Sequence, residues 1–598
     1  MSERIHLKDL ISASIRLLPD SPTALRGLWN LARIQHESLI SIGSLIEDHA
    51  AATPEAIALS FEEKCWNYYD FNAWANRLAG VLSTHGVKAG DRVAILMENR
   101  PETLAMVTAV VKLGAVAGML NHAQRGKVLE HSLKLLDARL LVLGAECQTA
   151  IDSMETPLDN SVPVLWSGEG KMPKGMVSLA KEIKLQPAHN PKSTSRVKAS
   201  DVAFYIFTSG TTGLPKASRM THYRWLRGMA GLSQMAMRLK PTDVVYCCLP
   251  LYHNNALTVS WGAALGAGAT LALSKKFSAS RFWDEVRAHQ ATCFTYIGEL
   301  LRYLLNQPTK PGDKEHDVRI IMGNGLRAEI WQAFEERFGI TDIREFYGAS
   351  EGNAAFVNAF GARGTAGFSP LSYAIVAFDA DAETPERNKK GYLKKVGAGG
   401  VGLLLTEVTD RAPFDGYTDA KASEGKLLRN VFKKGDVWFN TGDLVRDQGW
   451  RHIQFVDRVG DTFRWKGENV STTEVEGALA LCTGVAQGVV YGVEVQGADG
   501  RAGMAALTLG EGMGFDGKRL AEELCARLPA YAVPVFVRLQ PQVETTGTFK
   551  YRKVDLKREG YDPRTIGEPL YVLSDRQKGY QPLSKASFAA IGKGAVKL

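Results

Sequence analysis

Along this chain two apolar rhythms take turns. Short apolar runs bounded by polar punctuation, at residues 56–61, 65–68 and 92–97, read as strands, and residues 69–85 and 101–114 carry apolar positions at helical spacing. That alternation predicts a mainly parallel, layered α/β body. After Asp457 the pattern tightens into a compact unit, with helices expected over 472–481 and 517–528 and strands over 485–493 and 502–509. The expected division is therefore a leader over 1–40, a large domain over 41–456 and a small C-terminal domain over 457–598, with a hinge near 457–461.

In the leader, Ile5, Leu7, Leu10, Ile11, Ile15, Leu17 and Leu18 alternate with Arg and Lys, a spacing that suits an amphipathic helix. The plainer reading packs it on the protein's own body; the alternative docks it on a membrane surface. Two apolar stretches call for a membrane check. Residues 103–121 are interrupted by Lys112, and residues 256–274 carry no charge but are rich in Gly, Ala, Ser and Thr, so the second reads as a buried helix followed by a strand over 269–273. Residues 186–200 read as a Pro-, Lys- and Ser-rich connector, and 379–402 as poorly structured. Gly397-Ala398-Gly399-Gly400-Val401-Gly402 formally fits a dinucleotide fingerprint, but no apolar strand precedes it and strand-like residues follow, so that reading is rejected.

Composition narrows the picture modestly. With 598 residues, 45% hydrophobic and 23% charged, the chain is an ordinary globular protein of several lobes. A net charge of +8 favours anionic partners, yet its basic residues are scattered among acids without a basic stripe, which argues against nucleic acid. Seven cysteines form no C-x-x-C pair, and no apolar signal core opens the chain, so a reducing, cytoplasmic setting is expected.

The densest chemistry lies in Thr208-Ser209-Gly210-Thr211-Thr212-Gly213-Leu214-Pro215-Lys216, which follows the apolar run Tyr205-Ile206-Phe207. Glycines that let backbone N–H groups approach, four hydroxyls and one lysine suit a polyphosphate. It is not a Walker loop, and a Ser/Thr/Gly cluster alone would more often be a surface turn. The ordered combination resembles the signature loop of the adenylate-forming acyl-CoA synthetases, and further motifs follow in that family's order. Leu249-Pro250-Leu251-Tyr252-His253-Asn254 resembles the segment lining the acyl pocket, which implies a substrate-side role for His253. Met322-Gly323-Asn324-Gly325 resembles the adenine-side loop. In Phe346-Tyr347-Gly348-Ala349-Ser350-Glu351-Gly352 the resemblance implies that Tyr347 stacks on adenine beside Gly348 and Ser350, and that Glu351 helps hold Mg²⁺. Asn440-Thr441-Gly442-Asp443 resembles the ribose clamp, with Asp443 as its carboxylate, and Arg458 in Val456-Asp457-Arg458-Val459-Gly460-Asp461 is expected near ribose or phosphate. The chain departs from the family at the pivot, where glycine, Gly460, stands in place of an acid or lysine.

Thr545-Thr546-Gly547-Thr548-Phe549-Lys550 completes the set, in a form similar to the fatty acid transport protein and very-long-chain acyl-CoA synthetase branch. The resemblance implies a large multi-subdomain adenylate-forming domain and a small mobile α+β lid. It also implies catalysis by Lys550, Glu351 and Thr208, with Lys553 as the alternative lysine, and ATP, Mg²⁺ and coenzyme A as the reaction's partners. The implied substrate is a long- or very-long-chain fatty acid. A bile-acid or sterol acid, or fatty-acid uptake with activation secondary, are the competing readings, with peripheral attachment to the inner face of a membrane compatible with each.

Overall fold

The computed structural model describes residues 4–159, 161–209, 214–379, 384–466, 468–496, 500–541, 553–593 and 595–596. A seven-stranded sheet orders Val177–Ser178, Val164–Ser167, Leu140–Gly144, Arg92–Leu96, Val116–Met119, Val202–Ser209 and Pro215–Thr221. Its central strands are buried on both faces, hence their continuous apolar composition, and their pairing is parallel. Only the last pair is antiparallel, placing Thr208 opposite Lys216.

The second sheet is parallel in one half and antiparallel in the other, with an antiparallel edge pair, Ile57–Phe61 and Lys64–Asn67, beyond the parallel half. Thr270–Leu273, Val244–Cys247, Cys293–Ile297, Ile320–Asn324 and Ile343–Tyr347 run parallel in its first half. Pairing changes hand within the last of these: Ile343 to Glu345 face Ile321 to Gly323 in parallel, whereas Phe346 and Tyr347 pair antiparallel with Val357 and Phe356. The antiparallel half continues through Gly367–Phe368, His452–Arg458, Val437–Gly449, Val401–Glu407 and Tyr373–Val376. Ligand sites in open α/β sheets gather at the carboxyl ends of parallel strands, and this seam is such an end.

Residues 463–591 contribute a separate core, including Val489, Tyr491, Met504, Leu524 and Phe536, around a five-stranded sheet. Helices start where capping chemistry allows. Asn67 accepts from Asp70 N at 2.7 Å at the head of Tyr68–Thr84, and Ser471 accepts from Glu474 N before Thr472–Ala480.

The uncharged stretch is a π-helical turn, Asn255–Gly262, that runs into an α-helix, Ala263–Ala267, and then the strand Thr270–Leu273, all largely buried. No helix among the described residues is long and apolar enough to cross a membrane. Residues 401–407 of the rejected glycine-rich motif form a strand, not a helix, and the preceding region holds the short pair Phe378–Asp379 and Thr384–Pro385. Asn190 of the connector hydrogen-bonds Asn72 and Asn76, beside the buried Lys112, which pairs with Glu47 at 3.0 Å.

The leader forms two helices, Leu7–Leu17 and Ser21–Arg33. Gly27 packs closely on Met235, Asn30 Nδ2 donates to Gln234 Oε1, and Asp20 pairs with Arg238 at 2.8 Å. The same helices leave Leu7, Ile11, Ile15, Leu18, Leu25, Leu28 and Trp29 exposed.

Candidate active site

The seam brings together most of the residues that the motifs singled out. Tyr347 and the loop through Glu351 leave the carboxyl end of Ile343–Tyr347, next to Gly323, Asn324 and Gly325 at the end of the neighbouring strand. Asp443 and Arg458 are direct partners across the antiparallel pair Val437–Gly449 and His452–Arg458. Tyr347 OH donates to Asp443 Oδ2 at 2.5 Å, and Arg458 Nε stands 3.4 Å from Asp443 Oδ1. Burial, with the adjacent Asp443 carboxylate, pushes the Tyr347 phenol well above its ordinary range. Burial pulls Arg458 down, but Asp443, Tyr347 and Glu351 outweigh it and hold its guanidinium above the usual value.

Glu351 is tied to the hairpin of Val202–Ser209 and Pro215–Thr221. Tyr417, whose phenol is raised by burial and by hydrogen bonding to Glu351, lies bridged to Ser218, and the Lys216 ammonium sits 5.6 Å from the Tyr417 ring centre. Ser218 Oγ donates to Ser350 O at 3.0 Å. Arg224, half-buried on the helix His222–Ala230, donates to the carbonyls of Ser350 at 2.8 Å and Gly352 at 2.5 Å, clamping the Glu351 loop onto the hairpin. Asp415 lies 3.7 Å from Arg224 and accepts from Thr221 Oγ1 at 3.0 Å. Thr208 Oγ1 is 3.5 Å from Lys216 O across the hairpin.

His253 precedes the π-helical turn, its ring 4.4 Å from that of Tyr252. Two residues on, Asn255 Nδ2 donates to Asn324 Oδ1 at 3.2 Å, so the segment carrying His253 touches the loop at 323–325. Gly325 adopts φ +83°, and its N–H and that of Leu326 donate to the two oxygens of buried Glu345 at 2.9 and 3.1 Å. Burial pushes the Glu345 carboxyl up to about 8, against the pull of these donors and of Tyr296 OH.

Gly210, Thr211, Thr212, Gly213 and Lys550 lie outside the described residues. Lys553 is described: its Nζ stands 2.9 Å from Glu476 Oε1 and 2.9 Å from Thr472 Oγ1, so its charge is already committed within the small domain. Gly460, at φ +88° with open space around it, follows the strand that ends in Arg458. Lys557 Nζ donates to Gly460 O at 2.6 Å and to Asp461 Oδ1 at 2.9 Å.

Sequence reasoning missed Arg224, Glu345 and Tyr417. Each is a single residue in an unremarked context, and only Glu345, adjoining the Phe346-Tyr347 motif, carried a signal that could have been read. Magnesium fits the cluster: Glu351 offers a carboxylate beside Tyr417, and no group of three or more His, Cys, Asp or Glu gathers into a metal cage among the described residues. A hard cation that keeps its waters and takes phosphate oxygens is satisfied by one such ligand.

Residues 46–399 match the AMP-binding enzyme family and residues 474–550 the AMP-binding enzyme C-terminal domain. The medium/long-chain-fatty-acid–CoA ligase FadD6 of Mycobacterium tuberculosis is 50% identical over 582 residues, which cover 97% of this chain and 95% of that protein. Long-chain fatty acid transport protein 2 of Rattus norvegicus is 40% identical over 564 residues, covering 92% and 90%. Among solved structures, ATP-bound MatB from Rhodopseudomonas palustris shares the fold at a TM-score of 0.72 and 22% identity, over 87% of this chain and 99% of that one. By its matched regions and its near full-length relatives, the chain belongs to the AMP-binding, adenylate-forming enzymes, in their fatty acid transport protein and very-long-chain acyl-CoA synthetase branch.

Proposed function

We propose that this chain is an AMP-forming fatty acid:CoA ligase whose lid lysine, Lys550, serves adenylation. The observation that carries the reading is the meeting of Tyr347, Asp443 and Arg458 with Lys216, Tyr417 and Glu351 at one seam. Asp443 accepts from the ribose hydroxyls, taking the place of its present bond from Tyr347 OH. The Tyr347 ring and Gly323 to Gly325 bracket adenine. Lys216, with the hydroxyls and backbone of 208–213, binds the outer phosphates, and His253 borders the acyl carboxylate.

A carboxylate is ionised at neutral pH, so no general base is needed for its attack on the α-phosphorus. One carboxylate-oxygen–phosphorus bond forms, the bond to pyrophosphate breaks, and the developing charge is met by Arg458 and Lys550. Glu351 would hold magnesium, which would supply positive charge against the phosphate oxygens. Rotation of the small domain about Asp457 to Asp461 then withdraws Lys550 and admits coenzyme A, whose thiol gives its proton to water as its sulfur attacks the acyl carbon and AMP departs with the acyl–oxygen electron pair. The long acyl chain is supported by the two relatives named above, and peripheral attachment to the inner face of a membrane by the leader's exposed apolar residues.

Pyrophosphate release across a panel of carboxylic acids, with and without coenzyme A, tests this directly. Long-chain fatty acids should lead the panel, and a preference for acetate or an aromatic acid refutes the chain-length assignment. Lys550→Ala is expected to lower adenylate formation by at least about 100-fold, the scale of one lost transition-state charge contact. Transfer to coenzyme A from supplied acyl adenylate should persist; equal loss of both half-reactions removes Lys550 from its role.

A further inference from the structure

Between the nucleotide loop and the small domain runs a chain of charges that the reaction as described does not use. Arg327 begins two residues beyond Gly325, on the loop that Glu345 fastens through Gly325 N and Leu326 N. Its Nη2 stands 3.3 Å from Glu299 Oε1 on the large domain and 3.3 Å from Glu476 Oε2 on the small one. Glu476 is buried, accepts from Val490 N at 3.0 Å and pairs through its other contact with Lys553, 2.9 Å away. Lys553 in turn donates to Thr472 Oγ1, and Thr472 N donates to Asp457 Oδ2 at 2.7 Å. Asp457 immediately precedes Arg458, the partner of Asp443. The lysine three residues beyond Lys550 is therefore wired to the adenine side through Arg327 and to the ribose side through Asp457.

We propose that Arg327 and Glu476 form a reversible latch that couples nucleotide binding to the lid orientation used for adenylation. This rests on the two-step ligase reading given above. Its physical basis is the counter-charge each partner keeps. Breaking a buried ion pair is strongly unfavourable when it strands a charge. Here, opening the pair leaves Arg327 with Glu299 and Glu476 with Lys553, so neither is stranded. Glu299 is itself backed by Arg302 at 2.7 Å. Among the described residues, adjoining cross-domain hydrogen bonds include Gln487 Nε2 to Tyr303 OH at 3.0 Å, and Arg302 to Ala486 O. Arg327 and Glu476 are positioning residues; neither needs to touch substrate.

Two variants give opposite expectations. Arg327→Gln frees the lid: adenylate formation should fall about ten-fold while coenzyme A transfer from supplied acyl adenylate is kept. Glu299→Gln removes the charge that receives Arg327 on opening, so the latch should hold longer, slowing coenzyme A transfer while adenylate formation is kept. Lid orientation is read independently by energy transfer between one fluorophore on the body and one on the small domain of the full chain, titrated with α,β-methylene ATP. The analogue should shift the wild-type signal, and Arg327→Gln should abolish the shift. If both variants lower both half-reactions equally, or Arg327→Gln keeps the analogue-driven shift, the latch is overturned. If a variant is too unstable to assay, Gln487→Ala, which removes a cross-domain contact without the charge, should leave the shift intact; its loss there assigns coupling to the interface at large and overturns the latch. Because the analogue is not turned over, a wild-type protein that forms no acyl adenylate yet shows the shift fails the ligase reading and not the coupling.

Discussion

Asp443 shows what one side chain can hold in readiness. Its two oxygens are engaged by Tyr347 OH and Arg458, which fix the orientation of the carboxylate. Asp443→Ala is expected to raise KM for ATP by at least about ten-fold, leaving Tyr347 OH and Arg458 without their shared acceptor. Tyr347→Phe keeps the ring and loses only one hydrogen bond, so a change of about five-fold is expected. Steady-state kinetics over ATP concentration separates the two, and an Asp443→Ala enzyme with unaltered KM removes it from the ribose site. Tyr347, Glu351, Asp443 and Arg458 were legible because each sits in a dense motif. Arg224 and Tyr417 were not, because a lone arginine in an ordinary helix and a lone tyrosine in a loop acquire meaning only by what folds against them.

Elements were legible where their rhythm was unbroken. The strand at 92–96 and the helices at 68–84 and 101–112 fall within a few residues of expectation. The π-helical turns Gly231–Ala236 and Asn255–Gly262 were not legible, since apolar residues on every side of a buried helix erase the periodicity that would reveal one extra residue per turn. Gly298 was also silent: a Cβ there would fall 1.7 Å from Gly325 O, so glycine is what lets the helix after Cys293–Ile297 approach the nucleotide loop. The second leader helix, Ser21–Arg33, packs on the π-helical turn at 231–236, as the plainer reading expects, while the first, Leu7–Leu17, exposes Leu7, Ile11 and Ile15 at helical intervals. Lys8 on the first helix is exposed, as are Arg26 and Arg33 on the second, where Arg33 lies over the exposed Trp29 ring at 4.3 Å. An apolar face with basic neighbours suits an anionic lipid surface. Co-sedimentation with anionic phospholipid vesicles should fall sharply in the triple variant Leu7→Ser, Ile11→Ser, Ile15→Ser while the melting temperature holds. Unchanged sedimentation ends the docking reading.

At the scale of the whole molecule, two buried groups give stability opposite slopes with pH. Burial, partly offset by Glu47, lowers the Lys112 ammonium to about 8, so between pH 8 and its ordinary 10.5 the unfolded chain binds the extra proton and stability rises with pH. Burial raises Glu345 to about 8, so between its ordinary 4.5 and pH 8 the folded chain holds the extra proton and stability falls as pH rises. Lys112→Met should flatten the rising limb of the melting-temperature profile above pH 8 and Glu345→Gln the falling limb below it, relative to the parent chain; variants that shift the whole profile uniformly contradict both assignments. Order along the chain determined the motif set, the α/β alternation and the compact C-terminal unit, because local patterns of glycine, hydroxyl and apolar spacing suffice to encode them. The joining of a parallel and an antiparallel sheet at Tyr347 was decided only in three dimensions, as were the clamp of Arg224 on the Glu351 loop and the charges linking Arg327 to Lys553. These are contacts between residues far apart in sequence, and no local pattern records which distant partner a buried charge will find.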